Sequence, residues 1–407
     1  MRPSGRREVE PEQTVPELRR DPLTRDWVVL APGRAHRPNR LSQPVTAPPP
    51  PVSTEPDCPF CPGNEDRTPP ELWRRHDADG GWTVRVVPNR FPLLADRPVP
   101  ARHRRDGPFV TTDGFGSHEV VIEGRRHDLD LPDLDEQAVA AVFEAYRARS
   151  RALRDGRASL VLPFRNHGTA SGASLPHPHS QIVAVRVVPD RFRRRLDIAR
   201  AYYEDRGNPL DADVTAAELG EGTRVIAVSE HVVAHAPFAS SAPYQIRITP
   251  REQRASFADE SGETVADTAN MVRRLLTALR RMLGDVPYSY MIISAPNGEE
   301  RTSFCSWHLD VMPRLAVAGG FELGSGMAVN PVFPEQAAAR LRDAMASPAA
   351  SRSRRPALRD AAQALGETST TPTGSTGAVE EGAVQQPQEG RHPGPSSGTM
   401  EQRGDDR

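Results

Sequence analysis

Two residue pairs in this chain have types and spacing suited to chemistry. Cys58 and Cys61 enclose Pro59 and Phe60, and His177 and His179 enclose Pro178. Thiols at CxxC spacing can grip one zinc ion, but a tetrahedral site needs two more ligands. The same spacing serves redox pairs, which sit at the start of a helix. Here the run PGNEDRTPPE after Cys61 reads as a knuckle-like loop, which favours zinc. His36, His76, His103, His118, His127, His167, His177 and His179 all lie in the same half as partners, and spacing does not choose among them.

Three roles are open to the histidine pair: ordinary turn residues, two metal ligands, or a nucleophilic imidazole at His179. On a strand, alternation puts His177, His179 and Gln181 on one face. A nucleophilic imidazole needs one nitrogen free and the other held by an acceptor such as a backbone carbonyl. Ahead of the pair runs a loop of small polar residues from Asn166 to Ser174. Backbone N–H groups and hydroxyls can approach phosphate oxygens closely in such a loop. A phosphate loop beside an imidazole points to phosphoryl or nucleotidyl transfer.

The elements that must position these groups follow from periodicity. Short strands are expected over 27–30, 82–92 and 118–123. Apolar spacing predicts a helix over 134–155, capped by Asp135 and stopped by Gly156. A strand over 158–164 enters the loop, and HSQIVAVRVV leaves it as another. The second half repeats this order. Strand-like segments at 224–238 and 244–250 precede an amphipathic helix at about 262–284, then strands at 288–296 and 306–315. His308 stands near the start of the last strand, so a duplication is the expectation. A final helix over 334–346 opens on Pro334. Residues 1–14 and 348–407 lack apolar periodicity and are expected to be disordered.

Composition narrows the class. A chain of 407 residues is expected to form more than one core. A net charge of −2 provides no basic field for nucleic acid, and all 52 Lys-or-Arg positions are Arg, so phosphate must be met by Arg, His or backbone. Three cysteines make no disulfide framework, which favours a reducing cytoplasm. No apolar run has membrane-spanning length, and the first residues lack a secretory apolar region.

With RNHGTASGAS and CPFC before it, HPHSQ resembles the galactose-1-phosphate uridylyltransferases of the histidine-triad superfamily. ELRRDPLTRDWVVLAPGRAHRP, VVPNRFPLL, SHEVVIE, GGFELGSG and NPVFPEQAAARLR are similar to family blocks, in family order, over about 17–345. The resemblance implies an α+β fold of two histidine-triad-like halves, at 15–195 and 196–347, each an antiparallel sheet with helices packed on it. It implies a cytoplasmic enzyme of galactose metabolism, a homodimer acting on nucleotide sugars and hexose 1-phosphates. In its ping-pong reaction His179 would take a uridylyl group from UDP-glucose and pass it to galactose 1-phosphate. Gln181 stands where hydrolytic relatives carry a third histidine, which favours transfer over hydrolysis.

The resemblance also implies a set of site residues. Arg34 and Arg37 would hold the diphosphate. Asn89 and Phe91 would line the nucleoside pocket. Asn166, Gly172 and Ser174 would position ribose and phosphate, and Glu322 would meet the hexose from the other half. Cys58, Cys61, His127 and His177 would bind one structural zinc ion. A second metal site is expected to be lost, because its positions read Asn208, Asp211, Gln253 and Ser306-Trp307-His308. Arg90 replaces the Asp common in uridine-specific members, and Ala328 replaces an amide near the hexose. GGFELGSG is closer to a plant-like branch acting on ADP-glucose, the alternative reading. A non-catalytic nucleotide- or zinc-binding module is the third.

Overall fold

The computed structural model describes residues 15–36, 52–96, 102–156 and 158–347. Arg37 and the segments 1–14 and 348–407, for which expectations were stated, lie outside the described residues. In the first half the elements are β1 (Glu17–Arg20), β2 (Trp27–Leu30), β3 (Trp73–His76), β4 (Trp82–Pro88), β5 (His103–Asp106), β6 (Phe109–Thr112), β7 (Gly116–Ile122), α1 (Glu136–Asp155), β8 (Leu160–His167) and β9 (His179–Val185). Then come α2 (Asp190–Arg206), α3 (Leu210–Glu221), β10 (Val225–Val228), β11 (Val232–His235), β12 (Ile246–Pro250), α4 (Gly262–Leu283), β13 (Tyr288–Ile293), β14 (His308–Pro313), α5 (Gly320–Ser325), β15 (Ala328–Asn330) and α6 (Pro334–Ala346).

Ten strands form one sheet in the order β10-β11-β12-β14-β13-β8-β9-β7-β4-β3. Every pairing in it is antiparallel, which is the α+β architecture expected. The sheet runs through both halves because β8 pairs with β13, with Tyr288 opposite His167 and Ser289 opposite Asn166. Separately, β15 lies parallel to β2 beside β1, and β5 and β6 form a hairpin.

Strand alternation divides the sheet into two unlike faces. On one, Ile182, Ala184, Tyr290, Ile292, Leu309, Val311, Ile246 and Ile248 join Phe143, Leu275 and Leu341 from α1, α4 and α6 in the main core. Helix α1 is fixed at both ends as its sequence requires: Asp135 Oδ1 accepts from Ala138 N, and Gly156 ends it. The opposite face carries His118, Val120 and Ile122 of β7 level with Val183, Gln181 and His179 of β9.

Three local expectations are corrected. Strand β8 continues through Asn166 and His167, because β13 supplies their partners. The segment 224–238 is a hairpin rather than one strand, and Asp267 Oδ2 accepts from Ser229 Oγ and His231 N at its turn. Helices α2 and α3 were not expected. Helix α2 is Arg-rich and buries only Arg195, Leu196, Ile198 and Ala199, too little apolar surface to show a clear period.

Candidate active site and metal centre

The turn after Cys58 is closed by Cys61 N donating to Cys58 O, and Asn64 Nδ2 ties it to the carbonyls of Pro56 and Cys58. Phe60, between the thiols, packs against His177 and His179 with ring centroids 6.0 and 5.4 Å away. The knuckle, Trp82, Val120 and Ile122 thus form a small apolar cluster on the open face of the sheet.

Ligand atoms of Cys58, Cys61, His127 and His177 all lie within 4.8 Å of one another, and all four residues are buried. These residues could hold a metal ion. His177 Nδ1 is 3.6 Å from both sulfurs, and His127 Nδ1 is 3.5 Å from Cys61 Sγ. The far nitrogens are occupied. His177 Nε2 lies 2.9 Å from Gly124 O and His127 Nε2 3.1 Å from Glu55 Oε2. Such outer partners fix the tautomer and aim Nδ1 at the sulfurs. Burial pushes the Cys58 thiol up to about 11 and His177 down to about 4. Among the described residues, His127 and His177 are the histidines that join the thiols. His118, His167 and His179 are engaged elsewhere.

His179 begins β9 and is buried. Its Nδ1 lies 2.8 Å from His177 O, so this nitrogen donates the hydrogen and Nε2 keeps its lone pair. Burial lowers its tendency to protonate, the Arg165 charge adds to this, and the carbonyl opposes both. The carbonyl of Pro178 is held in turn by Glu123 N at 3.2 Å.

Beneath the strands, on the helix face, Arg165 is fully enclosed. Its Nε donates to Glu123, Nη1 donates to Tyr288 Oη at 2.7 Å, and Nη2 meets Asp130. Tyr146 Oη donates to Ser180 Oγ at 2.6 Å and lies 2.7 Å from Tyr290 Oη. The strand carrying His179 therefore rests on a saturated polar bed.

The loop side is set by two glycines. Gly168 has φ 79° and Gly172 φ 94°, and Gly172 ends a short turn over Thr169–Ser171. Any side chain at these φ values is strained. Asn166 Oδ1 accepts from Ser289 Oγ at 2.9 Å, across the seam between halves. Ser174 is exposed.

The other expected site residues make local contacts of their own. Asn89 Oδ1 accepts from Phe91 N at 2.9 Å, while the Phe91 ring is 83% exposed. Arg34 is exposed on the turn Pro32–His36. Glu322 Oε2 accepts from Gly319 N at 3.0 Å, closing the first turn of α5. In the second half, Asp211 Oδ1 accepts from Arg195 Nη2 at 2.7 Å and Asp211 Oδ2 from Ser306 N at 3.1 Å. Gln253 Nε2 donates to Cys305 O at 3.3 Å. In the sequence His118 stands out only as a strand residue and a candidate ligand. The structure puts its Nε2 2.7 Å from Gln181 Oε1.

Residues 7–189 match the family model described as galactose-1-phosphate uridyl transferase, N-terminal domain. ADP-glucose phosphorylase of Arabidopsis thaliana is 35% identical over 338 residues, 82% of this chain and 94% of that protein. Galactose-1-phosphate uridylyltransferase of Thermotoga maritima is 31% identical over 337 residues, 80% of this chain and 98% of that protein. The chain belongs to the galactose-1-phosphate uridylyltransferase family. Membership makes it a nucleotidyltransferase. Its fold is similar to the crystal structure of an ADP-glucose phosphorylase from Arabidopsis thaliana with bound ADP-glucose. That match has a TM-score of 0.69 and 33% identity, and covers 81% of this chain and 99% of the other. A structure described as a uridylyltransferase matches with TM-score 0.63 and 31% identity, over 81% of this chain and 98% of the other. Among the described residues no helix is long and apolar enough to cross a membrane.

Proposed function

We propose that the chain is a UDP-glucose–hexose-1-phosphate uridylyltransferase acting through a nucleotidyl-imidazole on His179. The observation that carries this reading is the hydrogen bond from His179 Nδ1 to His177 O, which leaves Nε2 as the nucleophile on the open face. In the first half-reaction Nε2 attacks the α-phosphorus of the nucleotide sugar. The N–P bond forms, the bond to the bridging oxygen breaks, and glucose 1-phosphate departs with that electron pair. In the second, a phosphate oxygen of galactose 1-phosphate attacks the same phosphorus and Nε2 recovers its lone pair. The carbonyl at Nδ1 stabilises the positive charge of the substituted ring, so one hard displacement becomes two easier ones. Gln181, two residues on along the same face of β9, carries an amide that can bind a phosphoryl oxygen but has no readily transferred proton.

The four-residue cluster is read as a zinc site. Zinc–sulfur and zinc–nitrogen bonds at a tetrahedral angle put sulfur and nitrogen about 3.6 Å apart. The observed separations of 3.5 and 3.6 Å fit that geometry before any ion is considered. Bound there, the ion would cross-link the knuckle to the segment that presents His179, with no open position for water. Arg34 and Arg37 are proposed to hold the diphosphate, Asn89 and Phe91 the nucleoside, Asn166, Gly172 and Ser174 the ribose and phosphate, and Glu322 the hexose. The enzyme is proposed to work as a cytoplasmic homodimer, each half of the chain being a histidine-triad-like unit.

A second reading, ADP-glucose phosphorylase, is favoured by the 35% identity to the plant protein of that name. The same intermediate would then carry AMP, and inorganic phosphate would be the acceptor. Incubation with labelled UDP-glucose and ADP-glucose separately, followed by isolation of an acid-labile adduct, tests both. An adduct with UDP-glucose that is absent from His179→Gly supports the first reading. An adduct with ADP-glucose alone replaces it by the second. No adduct with either overturns nucleotidyl transfer.

A further inference from the structure

We propose that His118 is a positioning residue that sets which end of the Gln181 amide faces the reacting phosphoryl group. This rests on the reading of Gln181 as a phosphoryl contact. Leu93 N lies 3.1 Å from His118 Nδ1 and donates to it. A ring nitrogen that accepts a backbone N–H carries no hydrogen of its own. His118 is buried, and that burial lowers its tendency to protonate, so the neutral ring has one N–H, at Nε2. That N–H is 2.7 Å from Gln181 Oε1 and donates to it.

The side-chain amide of Gln181 is thereby oriented. Its oxygen is engaged on the His118 side, and its amino group is the end left for a ligand. The residues are diagonal neighbours on adjacent strands, since His118 is level with Val183 and Gln181 with Val120. His179 shares this face two residues earlier on β9. An amino group there donates to a phosphoryl oxygen as charge builds up. The reversed amide would present a carbonyl oxygen and repel it.

Asn89 supplies the competing arrangement. Its Nδ2 is 3.2 Å from the same His118 Nε2. Two donors cannot share a hydrogen bond, and bonding both Leu93 N–H and Asn89 to bare ring nitrogens would need an imidazolate. The Asn89 amide is already oriented, because Oδ1 accepts from Phe91 N at 2.9 Å. The Asn89–His118 approach is therefore a packing contact. Leu93, Asn89 and Phe91 belong to the loop following β4, so one imidazole links that loop to Gln181.

Two measurements test this. Long-range proton–nitrogen NMR of wild-type protein, with His118→Gln used to assign the ring signals, should show Nδ1 bare and Nε2 protonated. A protonated Nδ1 overturns the proposal. In rapid-quench assays, His118→Phe should slow formation of the nucleotidyl adduct by about 10²–10³-fold with little change in KM for the nucleotide sugar. Zinc content and Tm should stay near wild type. His118→Gln, which can still donate to Gln181, should recover at least about tenfold of that loss. Wild-type rates in His118→Phe overturn the proposal, as does equal impairment of both variants. Wild-type protein that forms no adduct with either nucleotide sugar overturns the transfer reading instead, and the NMR result stands apart from it.

Discussion

His179 Nδ1 lies 2.8 Å from the carbonyl oxygen of His177, so the residue facing the two thiols also fixes the ring two positions on. On the proposed reading, metal binding and nucleophile orientation would be coupled through one peptide unit. Loss of the ion should therefore act on the tautomer of His179 and not only on the knuckle.

Cys61→Ser tests that coupling. Wild-type protein should carry about one zinc per chain by elemental analysis, and the variant should carry little. Adduct formation should fall by at least about tenfold even where the protein stays folded. Two ions per chain, or full activity without zinc, would contradict the arrangement.

His167 provides a pH signature away from the cluster of Cys58, Cys61, His127 and His177. Its Nδ1 is 3.0 Å from Asp130 and its Nε2 2.8 Å from Asp285. Burial opposes protonation there, but the two carboxylates overcome it and raise the ring from 6.5 to about 9. A raised value contributes stability that is complete below the unfolded pKa and lost as pH rises through the folded one. About 3 kcal/mol should disappear between pH 6.5 and somewhat above 9, given that shift. Urea unfolding of wild type and His167→Asn at pH 6 and pH 10 measures it, and the gap between them should shrink at the higher pH.

The sheet has one place where backbone meets backbone too closely for a side chain. A Cβ at Gly116 would sit 2.2 Å from Ala184 O. Neither strand can yield, since β7 and β9 pair along their whole length there. Gly116→Ala is expected to cost about 3 kcal/mol or more. A variant whose thermal unfolding matches wild type would show that the pairing is looser than described.

In the second half, Arg247 and Asp310 face each other across β12 and β14, buried and joined by two hydrogen bonds of 2.8 Å. Asp310→Ala strands the guanidinium and should cost about 3–5 kcal/mol. Replacing both with Met and Leu should cost much less, which a double-mutant cycle in urea reads directly. Equal losses in single and double variants would argue against the pair as the source.

Local chemistry made parts of this molecule legible in advance. Asp135 and Gly156 bound α1, and Ser261 caps α4 through Thr264 N, so both long helices stand where apolar spacing put them. The two site motifs were visible as residue types. Spacing alone did not choose the histidines that complete the thiol pair, because His127 and His177 meet Cys61 over sequence separations of 66 and 116 residues; the family resemblance named them. For the same reason the extension of β8 was hidden: its partner strand lies more than a hundred residues on. His118 was hidden differently. It looks like any strand residue until β7 and β9 are placed in register.

The β8–β13 pairing makes the two halves mutually dependent. A fragment ending after β9 would leave the outer edge of β8 without its neighbour, exposing a row of unpaired amides and carbonyls next to the 166–174 loop. Such an edge recruits another strand, and an identical fragment supplies one. Expressed by itself, the amino-terminal half is expected to self-associate through β8, whereas co-expression with the carboxy-terminal half should restore a soluble, complemented enzyme.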